Sequence, residues 1–420
     1  MRITKELRFA ACVIVIAVLL SIGAMASGQQ KAPPPSTWWQ TAMAAGDKAS
    51  SEGDYEAAEQ NYKTALSEAQ VEGRNDQHVV QALSKLAEVY QVQGKYDDAA
   101  STYRQALQVW ERALGPNNLI VAKGLEKLAS VYHKQGKNAD AERTYMRALQ
   151  ILEKSAEFDD PMLAPDLKGL AEVYRSEKRY AEAENLYKRS LALWENALGP
   201  EHPVVAESMN NLASIYVAEG KPDLAEPLFR RALEIAQKTM GPDDPYQTPI
   251  LNNLADLYFT QGKRAEAEAL LKRSLEFTER IAGPDAPETA QVMNSLGLVY
   301  DAEGRRAEAE PLYRQALKIW ESKLGPDHPN VAIVLNNLAG LLAAEGKFKD
   351  AEPMYERSLA VVQKAYGPND PEVAQALESY AEFLRKTDRA GEAERMDEAA
   401  KAIRTMRKEE QNRSSDGGPN

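Results

Sequence analysis

Small and apolar residues recur in this chain on two periods at once, one helical and one of about 42 residues. A turn residue stands at Gly53, Gly94, Gly136, Lys178, Gly220, Gly262, Gly304, Gly346 and Asp388, and five residues after each comes an alanine, from Ala58 to Ala393. Seven residues further on the side chain is small again, as in Ala65, Ala106, Ser190, Ser274 and Ser358. Before the turn, tyrosine recurs at Tyr90, Tyr132, Tyr174, Tyr216, Tyr258 and Tyr300, and a small residue three positions earlier, from Gly46 to Ala381. Apolar residues fall at helical spacing around these points, so each period reads as two antiparallel helices joined by a short turn. A fixed period of this length means a solenoid, in which a unit buries its apolar face only against its neighbours.

The linkers between periods carry their own signals. Gly115, Gly199, Gly241, Gly283, Gly325 and Gly367 each precede a proline, which predicts a left-handed cap ending the second helix. Asp160-Pro161, Asp244-Pro245 and Asp370-Pro371 place a capping carboxylate before a proline at the first helical position. His202 and His328 occupy the same slot before Pro203 and Pro329, and read as linker residues. Pro165 and Pro249 predict a delayed start to their helices, and Pro227, Pro311 and Pro353 fall near the first turn of second helices.

The pattern resembles the tetratricopeptide repeat. Leu324-Gly-Pro-Asp-His-Pro-Asn-Val-Ala332, followed by Leu335-Asn-Asn-Leu-Ala339, is similar to the 42-residue repeats of kinesin light chains and their bacterial relatives. The resemblance covers about residues 36 to 405 and implies an all-α fold, a right-handed α-solenoid of about nine helix hairpins. No heptad coiled coil precedes the repeats, so motor binding is not implied. The first hairpin, about Trp38 to Gln70, and the last, Val373 to Met406, are atypical in the way of capping repeats.

Composition changes the picture mainly at the N-terminus. Arg2, Lys5 and Arg8 precede an uncharged apolar stretch, Phe9 to Ala26, that ends in Ala24-Met25-Ala26. This reads as a cleaved secretory signal over residues 1–26, or alternatively as an uncleaved anchor, with the repeats outside the cytoplasm either way, periplasmic or secreted. Residues 27–36, with Pro33-Pro34-Pro35, form an extended tether, residues 37–405 the array, and residues 406–420 an expected disordered tail. The one cysteine, Cys12, lies in the leader, so the mature chain has no thiol chemistry. Removing the leader takes away three positive charges and one negative and moves the net charge from −12 to −14. Such acidity argues against nucleic acid and anionic membrane as partners.

No catalytic constellation emerges. Gly94-Lys95 and its repeats lack the earlier glycine and the hydroxyl residue of a phosphate loop, and His78, His133, His202 and His328 are too scattered for a metal site. The expectation is a non-enzymatic chain with no cofactor and no metal. Charged stretches such as Ala265-Glu-Ala-Glu268 read as the solvated face of the second helices. Trp110, Trp194 and Trp320 recur at one register of the second helix, where Leu152 and Val362 substitute for them, and read as packing between repeats.

Function then belongs to the concave face, lined in tetratricopeptide arrays by the first helix of each hairpin. That resemblance places Asn210, Asn211, Asn252, Asn253, Asn294, Asn336 and Asn337 in the groove. An amide donates and accepts at once, which suits an extended peptide, while one Asn of each pair alternatively stabilises stacking. Lys123, Lys127, His133, Lys134, Lys168 and Arg175, opposed by Glu126 and Glu172, suit an acidic segment or alternatively form a solvated face. The expected partner is another protein, bound through an extended or acidic peptide segment. The alternatives are a structural assembly component and an accessory subunit that recruits an enzyme.

Overall fold

The computed structural model describes residues 37–71, 76–155, 160–239, 241 and 247–416. The leader with Cys12, the tether, the Asp244-Pro245 cap and residues 417–420 lie outside the described residues.

The chain divides into two compact units, residues 1–135 and 136–420. The first holds α1 (Thr37–Ser51), α2 (Tyr55–Val71), α3 (Asp76–Val92), α4 (Tyr96–Leu114) and α5 (Leu119–Lys134). The second holds α6 (Asn138–Ser155), a 3-10 turn (Pro161–Leu163), α7 (Ala164–Ser176), α8 (Tyr180–Leu198), α9 (Pro203–Ala218), α10 (Pro222–Thr239) and α11 (Gln247–Thr260). It continues through α12 (Arg264–Ile281), α13 (Pro287–Ala302), α14 (Arg306–Leu324), α15 (Pro329–Ala344), α16 (Phe348–Tyr366), α17 (Pro371–Lys386) and α18 (Ala390–Asp416). In the first unit α1 packs on α2 and α3 on α4; in the second the hairpins run from α7–α8 to α17–α18. Each second helix also packs against the next first helix.

The periodic small residues explain this closeness. Ala58, Ala99, Ala141, Ala183, Ala225, Ala267, Ala309 and Ala351 are fully buried, and so are Ala65, Ala106, Ala148, Ala232, Ser274 and Ala316. Without branches at these points, a neighbouring helix approaches to backbone distance.

Turns within a hairpin are Schellman caps. At Gly304, φ +76°, the N–H donates to the Asp301 carbonyl at 2.9 Å, and the Arg305 N–H donates to the Tyr300 carbonyl at 2.8 Å. Lys178 and Asp388 hold the same turn without glycine, at φ 62° and 60°.

The linker glycines differ from the expected left-handed cap. Gly325 has φ 94° with ψ 157°, and Gly115, Gly199 and Gly367 match it. The following proline disfavours helical ψ at the residue before it, so the positive φ combines with an extended ψ in a region reserved for glycine. A Cβ at Gly325 would meet nothing within 4 Å. Gly325→Ala therefore tests the backbone alone and is expected to cost about 1–3 kcal/mol in urea titration; an unchanged midpoint would mean that the linker adopts other dihedrals.

First helices start as the capping signals predict. Asp370 Oδ1 accepts from the Glu372 N–H at 3.0 Å, and Asp160 Oδ1 from Met162 N–H at 2.8 Å. His202 and His328 cap through Nδ1, each accepting a backbone N–H at 3.2 Å. The helix after Asp160 is delayed, with Pro161–Leu163 forming a 3-10 turn before α7. Pro227, Pro311 and Pro353 lie in the helix interior, just beyond the first turn where they were expected, so each removes one intrahelical hydrogen bond. α18 continues to Asp416, through residues 406–416 of the expected disordered tail, because no glycine or proline interrupts the chain before Gly417.

The second-helix glutamates correct the solvated-face reading. Glu268 accepts from Arg305 at 2.8 Å and from Lys272 at 2.7 Å, and its side chain is 17% exposed. Arg305 follows the next turn and lies over the Tyr300 ring, 4.0 Å from its centroid. The staple repeats as Glu226 with Lys263 at 3.1 Å, Glu184 with Lys221 at 3.2 Å and Glu310 with Lys347 at 3.5 Å. In the first unit Glu59 meets Lys95 at 2.7 Å. Arg305 and Lys272 hold the Glu268 carboxyl down at about 2. Burial alone would raise Glu59, but hydrogen bonds from Lys63, Lys95 and Gln93 outweigh it and hold that carboxyl at about 2 as well.

Candidate protein-binding groove

Within the second unit the first helices touch one another directly, α9 with α11, α13 with α15 and α15 with α17. They form one wall, and its side chains are those three or four residues apart that include the asparagine pairs.

The asparagines along this wall divide by role. Asn253 Nδ2 donates to Asn210 Oδ1 at 3.0 Å, and Asn337 Nδ2 donates to Asn294 Oδ1 at 2.9 Å. Asn210 and Asn294 are only 8% and 7% exposed. These four amides link one first helix to the next and match the stacking alternative. Asn252 is engaged by its own hairpin, its Oδ1 accepting from Ser274 Oγ at 2.6 Å. Asn211 is half-buried, and Asn336 has a buried Oδ1 without a hydrogen-bond partner among the described residues. One turn beyond Asn252, Asp256 reaches solvent on the same wall, yet the helices crowding it desolvate the carboxyl and push it up to about 6.

The basic residues separate between the units. Lys123, Lys127 and Lys134 are exposed on α5 and His133 is half-buried there. In the second unit Lys168 is paired with Glu207 of the next first helix and lies 3.9 Å from Glu172, so it is not a free cation for a ligand. Glu207 was missing from the expected set of opposing acids because it sits in the following period. Arg175 is exposed and lies beside Tyr187.

The first unit holds a concavity that the asparagine and lysine patterns did not indicate. It encloses about 770 Å³ and is lined by Trp39, Met43, Val80, Val109, Trp110, Ala113, Leu114 and Ile120, with Asp47, Lys85 and Glu88 among its polar residues. Trp39 stacks on His78, ring centroids 3.8 Å apart. Leu114 and Ile120 stay exposed although both are large and apolar. Trp110 packs between repeats as expected, against Gly124 of the next first helix and the Val80, Leu83 and Ala106 cluster, and also lines the groove. Trp320 follows that expectation, fully enclosed with its Nε1–H donating to the Pro287 carbonyl at 3.1 Å. The signal for the groove was available in Ala113-Leu114 and Leu119-Ile120, apolar residues flanking a linker that needs none.

Among the described residues no three His, Cys, Asp or Glu side chains converge as a metal site, and no helix is long and apolar enough to cross a membrane. The arrangement supplies apolar surface, amides and fixed charge, which is the chemistry of binding.

Family comparison matches two tetratricopeptide repeat profiles. One, described as "Tetratricopeptide repeat", matches residues 78–154, 163–238, 246–322, 302–364 and 330–406; the other, "Tetratrico peptide repeat", matches residues 40–108. No match is found among curated protein sequences. Among solved structures, the apo form of RapI is 12% identical with a TM-score of 0.59, covering 88% of this chain and 98% of its own. A tetratricopeptide repeat protein from Parabacteroides merdae is 20% identical with a TM-score of 0.50, over 73% of this chain and all of its own. A Podosopora anserina putative kinesin light chain with nearly identical TPR-like repeats is 26% identical, with a TM-score of 0.43, over 49% of this chain and 96% of its own.

Proposed function

Because the chain belongs to the tetratricopeptide repeat family, we propose that it is a non-enzymatic protein-protein interaction scaffold working outside the cytoplasm, and that it holds a peptide-like segment of a partner. Repeats of this family generally bind other proteins. The observation that carries the reading is the 770 Å³ apolar groove of the first unit. Its exposed Leu114 and Ile120 are costly in water unless a partner covers them. Lys123 and Lys127 follow Ile120 on the same helix three and seven residues later, so an apolar segment with an acidic neighbour complements the surface. The leader, with its small-x-small ending, supports export.

The test is affinity capture with the purified full chain and with the double variant Leu114→Glu, Ile120→Glu, both shown by circular dichroism to be folded. Binding of the captured partner is expected to weaken at least about tenfold in the variant. Lys123→Glu with Lys127→Glu is expected to slow association and flatten its salt dependence. Equal capture by wild type and the apolar variant would move the interaction to another surface and favour the assembly reading.

A further inference from the structure

The amide links of the inner wall join α9 to α11 and α13 to α15 and fail where serine takes the donor position, Ser295 one period after Asn253 and Ser379 one period after Asn337. Asn253 reaches back to Asn210 and Asn337 reaches back to Asn294, each from the equivalent position one period later. One period beyond Asn337 that position is Ser379, whose shorter side chain turns to its own helix and donates to the Gln375 carbonyl at 3.1 Å. Asn336, the acceptor Ser379 faces in the pattern, is left with a buried Oδ1 and no hydrogen-bond partner among the described residues. The rescue used by Asn252, a hydroxyl from the second helix, also fails here, because Ser358 donates to the Ala332 carbonyl at 2.8 Å instead. Where the amide arm is missing, a cleft of about 160 Å³ opens between α15, α16 and α17, lined by Asn336, Ile333, Val362, Tyr366 and Glu372 among others.

The functions this cleft offers are of one kind. Ile333 and Tyr366 are 52% and 50% exposed and form an apolar lip, while Asn336 Oδ1 and the Glu372 carboxylate are acceptors. Asn337 donates to Asn294 and Ser379 to the Gln375 carbonyl, so neither serves the Asn336 oxygen. We propose that this cleft is a subsite for a basic side chain of a bound partner segment, its aliphatic stem between Ile333 and Tyr366 and its cationic head donating to Asn336 and Glu372. A long apolar stem with a charged end suits a site with an apolar lip and acceptors within. The inference rests on the scaffold reading and adds a second, oppositely charged requirement far along the sequence from Lys123 and Lys127.

The test uses the full chain with isotope-labelled isoleucine methyl groups, titrated with n-butylammonium at fixed ionic strength, and with n-butanol as the neutral control. The Ile333 methyl signal is expected to shift saturably with n-butylammonium, at least tenfold more weakly in Glu372→Gln and in Asn336→Leu. Ser379→Asn restores the missing amide arm and is expected to abolish the response while raising the melting temperature. An equal response to n-butanol, or an unchanged response in Asn336→Leu, overturns the proposal. Partner capture that is insensitive to Leu114→Glu and Ile120→Glu would instead refute the groove reading, with the butylammonium result left to stand or fall separately.

Discussion

Tyr313→Ala is expected to lower the stability of its hairpin by about 3–5 kcal/mol, the range for removing a large buried aromatic. Tyr313 is fully enclosed on α14, and Gly297 of α13 lies directly over it: a Cβ on Gly297 would come 2.7 Å from Tyr313 Cε1. The helices meet at this distance only because one has no side chain there, so the hole left by alanine cannot be refilled from Gly297. The phenol oxygen gives the contrasting variant. It is buried without a hydrogen-bond partner among the described residues, and burial together with the charge of Asp301 raises its pKa above the usual range. Tyr313→Phe removes a desolvated hydroxyl and keeps the ring, and is expected to be neutral or about 1 kcal/mol more stable. Because repeats couple mainly to their neighbours, the measurement is hydrogen exchange on α13 to α16, where alanine lowers protection and phenylalanine does not. Equal effects of both substitutions would mean that the hydroxyl, not the ring, holds the hairpin.

Acid is expected to unfold the array between about pH 4.5 and pH 2. Glu59 and Glu268 ionise at about 2 in the folded chain against 4.5 ordinarily, and Glu226 and Glu310 are shifted the same way. A lowered folded pKa contributes stability that is fully present above the unfolded value and disappears as pH falls through the folded one. After allowance for solvent screening, about 1–2 kcal/mol for each of Glu59 and Glu268 is a reasonable scale. Asp256 acts with the opposite sign: raised to about 6, it favours the folded chain as pH falls from about 6 toward the ordinary aspartate range. Urea midpoints measured from pH 7 to pH 2 are therefore expected to rise slightly toward pH 5 and then fall steeply. In Glu268→Gln the acid limb becomes shallower, and in Asp256→Asn the rise disappears. A midpoint flat down to pH 3 would show that the glutamate staples contribute nothing to stacking.

Most of the fold could be read from the residues because its causes are local and repeat. An alanine five residues after every turn, a glycine or its substitute at the turn, and a capping residue before proline each act within one helix or one hairpin. Repetition turns weak signals into a strong one. The same logic would have exposed the Glu268–Arg305 staple, since both members recur at 42 residues. They were read as solvated charge because their contact spans 37 positions, beyond the reach of helical periodicity.

The groove was less legible. Asn210, Asn253, Asn294 and Asn337 lie on the face the first helices share, but which amide is spent on a neighbour depends on how far one first helix is displaced along the next. The linker glycines show the same division at smaller scale. Positive φ followed from glycine at a helix end, whereas extended ψ came from the steric demand of the next proline. Residue periodicity thus set the helices, their pairing and their caps, each governed by interactions within about one period. Stacking of separate hairpins decided the rest: which asparagines are spent on each other, that Trp110 lines a groove while Trp320 is enclosed, and that Asn336 alone of the wall's first asparagines keeps a buried acceptor without a hydrogen-bond partner among the described residues. Those outcomes turn on ångström-scale approach between helices, and a one-residue change such as Ser379 for asparagine alters them without disturbing the period.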